Sequence, residues 1–364
     1  MDNYRKWFFM ALGILAATVG LVGLVNYIVD PYGLLRKDFS WQFIDPNKNF
    51  IKTRFLSENP ERFDCLVMGS SRVNSIDVRK IRGYRAYNVH YSGGLPRDHL
   101  ENIRYLLKKG VRIKLILLGL DEFSYKDDPN DRLYQPLRHP YPPVLGQHPL
   151  PFYLRYYFSF LDWEIMQVVL KGYMERLLGR SGDNAVNYDI YETGQMYFYQ
   201  TERQIEADPE KHRNDPKFLR HFNNPRDNLQ GALQDLKEIV RITEAHQVRL
   251  VLFINPLHKN VFLDSGADLN RFKRALSRLS GFYDFSGVNS VTTDNFNYLE
   301  TSHYRGRVGD LVIARIFNDR TVDVPEDFGR WVTQDNIEHH LKALRQQADR
   351  FAASPAAIGR GDHQ

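Results

Sequence analysis

Four short segments carry side chains whose types could do acyl chemistry. Gly69-Ser70-Ser71-Arg72 follows a short apolar run, and a glycine before a serine pair permits a tight turn that exposes a hydroxyl. The turn or helix that follows can offer backbone N–H groups to an oxyanion. Taken alone, the segment is an ordinary strand-to-helix turn with a serine N-cap. Asn88-Val89-His90-Tyr91-Ser92-Gly93-Gly94 holds a glycine pair able to bring a backbone N–H against a reacting carbonyl, and by itself it is a glycine-rich turn. Gly119-Leu120-Asp121 closes the strongest apolar run, as a simple turn would. Glu300-Thr301-Ser302-His303 sets a carboxylate three residues before an imidazole. Such an acid can orient the ring through one nitrogen and leave the other free to take a proton from a serine. In isolation it is a surface Glu and His in a loop.

These segments need a frame to bring them together. Asp64 to Met68 and Ile113 to Leu118 read as buried parallel strands, and Tyr84 to Val89 as another. Arg97 to Lys109 has Leu100, Ile103, Leu106 and Leu107 on one face and Gly110 as its stop, which predicts a helix. After residue 227 the rhythm resumes: helix Leu229 to His246, strand Arg249 to Ile254 broken by Asn255-Pro256, helix Asp268 to Leu279, a short strand Phe282 to Phe285, and helix Arg307 to Phe317. Alternating strands and helices imply a parallel sheet covered on both faces, an α/β three-layer sandwich. Active groups in such sheets collect outside the carboxyl ends of the strands, where the first three segments fall.

The stretch 122–227 is rich in Tyr, Pro and His and lacks that alternation, so it reads as an insertion or cap. Within it, Tyr153 to Leu178 predicts an amphipathic helix and 180–227 a polar, loop-like run. The expected division is 1–35 anchor and connector, 36–121 and 228–320 the two parts of one α/β domain, 122–227 the insertion, and 321–364 a charged helix, Asp335 to Phe351, with a disordered tail. Residues 30–62 read as a connector opened by the turn Asp30-Pro31-Tyr32-Gly33.

The order of the four segments is the informative feature: strand then Gly-x-Ser, a Gly turn, a strand ending in Gly-x-Asp, a long gap, then acid-x-x-His before the last helix. This resembles the SGNH hydrolase superfamily, whose fold is flavodoxin-like, over roughly residues 63–125 and 228–318. The resemblance implies Ser71 as nucleophile with Ser70 in the acidic position of its block, Gly93 as an oxyanion donor, His303 as base and Glu300 as its partner. Asp121 stands where the superfamily has an oxyanion Asn, and Glu300 where it has Asp. The membrane anchor, the Asp-Pro-Tyr-Gly start and the Gly-Ser-Ser block look like a subgroup of exported proteins similar to the alginate O-acetylation proteins and the D-alanyl transfer protein of teichoic acid synthesis. That likeness implies a serine acyltransferase or esterase acting on a cell-envelope or exported polysaccharide, with a membrane-bound O-acyltransferase as partner. A catalytically inactive binding or scaffolding module is the alternative, favoured by Asp121 and Glu300. A lipid or small-ester esterase is a third reading, disfavoured because no greasy lid sequence is present.

Other residues draw weaker expectations. Arg72 could hold an anionic substrate group, or form a structural salt bridge. His258 stands at another strand end, as a site residue or a solvated loop histidine. The aromatic run from Tyr153 to Phe160 could stack on sugar rings, although helical spacing fits the apolar face of the insertion better. No metal-ligand spacing and no phosphate-binding glycine loop occur, so no cofactor is expected.

Trp7 to Val29 has no charged residue and is long enough to cross a bilayer of about 30 Å at about 1.5 Å per residue. Arg5 and Lys6 precede it and should stay in the cytoplasm, which exports the chain after Asp30 into the periplasm or an equivalent space. Arg36 and Lys37 weaken that asymmetry. The run is too long for a usual signal peptide and no Ala-x-Ala site comes after it. The formal net charge of +5 comes with no zinc spacing, no dense basic run and no RNA-binding signature, so no nucleic acid is expected. Cys65 is the single cysteine, which excludes an intramolecular disulfide.

Overall fold

The computed structural model describes residues 2–130, 138–159, 162–179, 186–221 and 224–353. Among the described residues the strands are β1 Cys65–Met68, β2 Ala86–Asn88, β3 Leu115–Leu120, β4 Asn187–Asp189, β5 Gln195–Tyr197, β6 Arg249–Ile254, β7 Phe282–Asp284, β8 Tyr298–Glu300, β9 His303–Tyr304 and β10 Arg330–Val332. Six of them form one sheet in the order β10-β7-β6-β3-β1-β2. All neighbours are parallel except β10, which runs antiparallel to β7.

The apolar runs of β1 and β3 show no polar alternation because both faces of the sheet are covered. Leu66, Met68, Ile116 and Leu118 face a core shared with helices Pro96–Lys108, Leu229–Ala245 and Lys259–Leu279. Cys65, Val67, Leu115 and Leu117 face a second core, shared with helix Gly306–Phe317 and the turn after β1. Burial pushes the Cys65 thiol up to about 12, so it packs as a small hydrophobe. The chain leaves β1 toward β2 on one side and returns to β3 on the other. That reversal is the switch point of a doubly wound sheet, and it opens a crevice at the strand carboxyl ends.

The structure corrects several expectations outside this frame. The connector contains a helix, Lys48–Glu58, with Phe50 and Ile51 fully buried. Its periodicity was hidden because Lys48 and Lys52 are buried too. The segment 180–227, read as loop, holds the hairpin β4–β5 and the helices Tyr199–Ala207 and Pro209–Arg213. Three-residue strands are too short to show alternation. The hairpin backs onto the sheet edge, where Asn88 N–H donates to Thr193 O at 2.8 Å. The helix read over Tyr153 to Leu178 is two, Pro149–Phe158 and Trp163–Leu177, and Asp162 caps the second by accepting from Glu164 N–H at 2.8 Å. Strand β10 was not foreseen. The C-terminal helix spans Ile337–Ala352, and most of the expected tail, 354–364, lies outside the described residues.

The first helix, Asp2–Val29, is by length and composition able to cross a membrane. It ends at Asp30, whose backbone is left-handed at φ 39°. The Asp30 carboxylate accepts from the N–H groups of Leu34, Leu35 and Arg36 at 2.9 to 3.0 Å and from Tyr156 Oη at 2.9 Å. The Asp-Pro-Tyr-Gly turn is therefore a buried joint between this helix and the insertion.

Candidate active site

Ser71 opens a 3-10 turn, Ser71–Ser75, directly after β1, and Ser70 caps it by accepting from Arg72 N–H at 3.3 Å. Gly69 makes the turn possible. Its φ is +150°, and an added Cβ would lie 2.8 Å from Val73 Cγ1 and 2.9 Å from Gly119 O. Helix Gly306–Phe317 supports the turn from below at Gly309, where a Cβ would meet Ser75 O at 2.0 Å.

The β8–β9 hairpin brings in the other pair from a distant part of the chain. Ser71 Oγ lies 2.7 Å from His303 Nε2. His303 Nδ1 is hydrogen-bonded to Glu300 Oε1, and Glu300 Oε2 accepts from Ser302 N–H at 2.7 Å. The ionised carboxylate can only accept, so Nδ1 carries the proton and Nε2 is left to accept from the serine hydroxyl, a tautomer assigned from the network. Burial tends to raise the Glu300 carboxyl, but the His303 hydrogen bond, Ser302 N–H and the Arg72 charge together hold it below the usual range. The side chains of His303 and Glu300 remain 36% and 37% exposed, so solvent can reach the imidazole.

Two cavities meet at Ser71 and His303. One, of about 790 Å³, runs between the connector and the insertion past Phe43, Asp45, Ser92, Tyr188 and Arg176. The other, of about 420 Å³, passes Gly93, Phe123, Lys126, Asn224 and Asp264. Gly93 is thus in the same cavity as the serine, with φ +65° and its carbonyl accepting from Arg138 Nη1 at 3.2 Å.

Asp121 does not face the site, and Arg72 forms a structural salt bridge, the second of its two expected readings. Asp121 is fully buried and lines neither cavity. Its Oδ1 accepts from Arg72 Nη1 at 2.8 Å and from Asn255 Nδ2 at 2.9 Å. A carboxylate turned onto a guanidinium offers no amide N–H to an oxyanion in the cavity. Arg72 also donates to both oxygens of Glu122 and, through Nε, to Ser302 O at 2.6 Å. Its three nitrogens are occupied within the protein, so it ties the serine turn to the histidine loop instead of holding a substrate anion. Burial opposes the Arg72 charge, but Glu122 and Asp121 outweigh it and raise its pKa above the usual value.

Compared with known proteins, the chain matches no family model and no curated sequence.

Sequence reasoning missed the supports. Glu122 was legible only as an acid beside Asp121. Asn255 links Asp121 to Tyr304, whose Oη donates to Asn255 Oδ1 at 3.0 Å. Behind Ser92 and Gly93, the fully buried Lys52 donates through Nζ to His90 O at 2.8 Å and sits 3.1 Å from His90 Nδ1. Burial first, then neighbouring lysine charges, lower the pKa values of Lys52 and His90 well below their usual ranges. No signal in the sequence marks this pair.

His258 is neither in the site nor solvated. It is fully buried, caps helix Lys259–Leu279 and bonds Asn295 Oδ1 at 2.9 Å. In the aromatic run, Tyr153 and Tyr156 pack against Phe50 and Tyr32, not in either cavity. Among the described residues, no cluster of three His, Cys, Asp or Glu side chains is placed to hold a metal ion.

Proposed function

We propose that this chain is a membrane-anchored serine acyltransferase or esterase of the SGNH-like type, working outside the cytoplasm on O-acyl groups of a cell-envelope or exported polysaccharide. The observation that carries the proposal is the continuous chain Ser71–His303–Glu300 at the carboxyl end of the parallel sheet.

The residue types dictate the steps. His303 Nε2 takes the Ser71 proton as Oγ attacks the ester carbonyl, and the carbonyl π electrons move onto oxygen. Backbone N–H groups of Ser71 and Gly93 are the candidate donors to that oxyanion, each worth about 3 kcal/mol in the transition state. Collapse breaks the ester C–O bond, and His303 gives its proton to the departing alkoxide. A sugar hydroxyl or water then yields its proton to His303, attacks the acyl-serine and regenerates Ser71. Glu300 holds the ring and stabilises the imidazolium throughout. Two cavities joined at the serine suit a donor and an acceptor that occupy opposite arms. A membrane-bound O-acyltransferase would be the source of the acyl group.

A binding module is the second reading, and the Asp121–Arg72 ion pair favours it because no side-chain amide takes the Asn position. A fluorophosphonate probe distinguishes the two. The enzyme reading expects labelling of the full chain that survives Ser70→Ala and is lost in Ser71→Ala and His303→Ala. Absence of labelling in folded wild-type protein would favour the binding module.

A further inference from the structure

The insertion presents apolar surface that the protein itself does not cover. Helix Pro149–Phe158 exposes Leu150, Leu154 and Phe158, spaced i, i+4, i+8 along one stripe. Helix Trp163–Leu177 exposes Trp163, Leu170, Met174 and Leu177, again at helical spacing and each at least half exposed. The inner face of the second helix packs on Phe43 at Gly172, and its Glu175 and Arg176 line the larger cavity. One helix therefore carries cavity wall on one side and bare hydrocarbon on the other.

This surface continues from the apolar N-terminal helix. A Cβ at Gly23 would touch the Phe158 ring at 3.0 Å. Asn26 Nδ2 donates to the carbonyls of Tyr156, Tyr157 and Ser159 at 3.2, 2.7 and 2.7 Å. Asn26 is 1% exposed, and these are carbonyls at the C-terminal end of helix Pro149–Phe158. In water such carbonyls can be left to the solvent, whereas in hydrocarbon they need a protein donor. Centring a span of about 20 residues on Thr18 puts Gly23 about 7 Å inside the hydrocarbon boundary. Phe158, beside it, then lies at the depth of about 5–10 Å reached by in-plane amphipathic helices.

We propose that the two helices of residues 149–177 form an in-plane membrane element, with their apolar stripes in the outer leaflet and the Arg176 wall of the cavity at headgroup level. Access to Ser71 through that arm is then from the bilayer surface, so the substrate entering there is one held at the membrane. The proposal rests on the membrane anchor of the proposed function, and it does not depend on the acyl chemistry.

Labelling depth in the full chain tests it. Cys65 is buried with a raised thiol pKa, so a surface cysteine labels selectively. Leu154→Cys, Leu170→Cys and Leu177→Cys would each carry an environment-sensitive fluorophore, in vesicles of phosphatidylethanolamine and phosphatidylglycerol. Leu15→Cys reports on the span and Lys342→Cys on a solvated helix. The expected result is strong quenching by doxyl-labelled lipid at 15, 154, 170 and 177 with little iodide quenching, and the reverse at 342. Lipid quenching at 15 with iodide quenching at 154, 170 and 177 overturns the in-plane element and leaves the anchor standing, as it would if a protein partner covered this face. Iodide quenching at 15 overturns the anchor itself.

Discussion

Arg72 is the residue whose loss should be felt furthest. Its side chain is 5% exposed and faces two carboxylates, Asp121 with no exposure and Glu122 at 14%. Arg72→Met would leave Asp121 charged in the core with only Asn255 Nδ2 as a partner. Removing one member of a buried pair costs about 3–5 kcal/mol, mainly because the remaining charge is uncompensated. Loss of the Nε bond to Ser302 O would also release the loop that carries His303. The double variant Arg72→Met/Asp121→Asn removes the stranded charge and should recover about 1–3 kcal/mol of the loss. Guanidinium unfolding of the full chain in detergent micelles, with fluorophosphonate labelling rates on the same samples, reads both effects. The single variant should unfold earlier and label slowly, and the double should regain stability while labelling stays slow. A single variant within about 1 kcal/mol of wild type, or a double no more stable than the single, would refute the reasoning.

Four further outcomes are expected. Glu300→Gln keeps the shape of the hairpin but removes the negative charge, and labelling of Ser71 should slow by about 10²- to 10⁴-fold. The Glu300 carboxyl is held low in the folded protein, so its contribution to stability is present at neutral pH. That contribution is lost as pH falls below about 4.3 and through the lowered folded value, which acid titration of wild type against Glu300→Gln measures. Gly309→Ala would press a methyl into Ser75 O, destabilising the protein by about 1–3 kcal/mol and slowing labelling, as thermal unfolding and labelling rates would read. Burial raises the Asp98 carboxyl to about 7, against the pull of Arg138 and Leu95 N–H, so the folded state keeps a proton that the unfolded chain has released. The Asp98 contribution to stability therefore falls as pH rises from about 4 to about 7, and Asp98→Asn should match wild type at pH 4 and exceed it by about 1–2 kcal/mol at pH 8, after a discount for the water that still reaches this group. Denaturant midpoints at the two pH values decide it.

The parallel sheet was legible because strands covered on both faces are continuous apolar runs, and Cys65–Met68, Leu115–Leu120 and Arg249–Ile254 stand out in any window. The serine and the acid-x-x-His were legible as types in an order, because a strand end followed by glycine and a hydroxyl is a local pattern. The first helix was legible from length and apolarity alone. The sequence could not place the partners of charged groups. Asp121 reads as a poor oxyanion residue until Arg72, 49 positions earlier, is found against it. Lys48 and Lys52 look like a solvated helix face, yet both are buried, each satisfied by groups from another turn or segment. Hydrophobic periodicity is a property of neighbours along the chain, whereas the cost of burying a charge is repaid by whatever the fold brings within about 3 Å of it. The frame was therefore written locally, and the roles of Asp121, Arg72, Lys52 and Asn26 were decided only by tertiary contact.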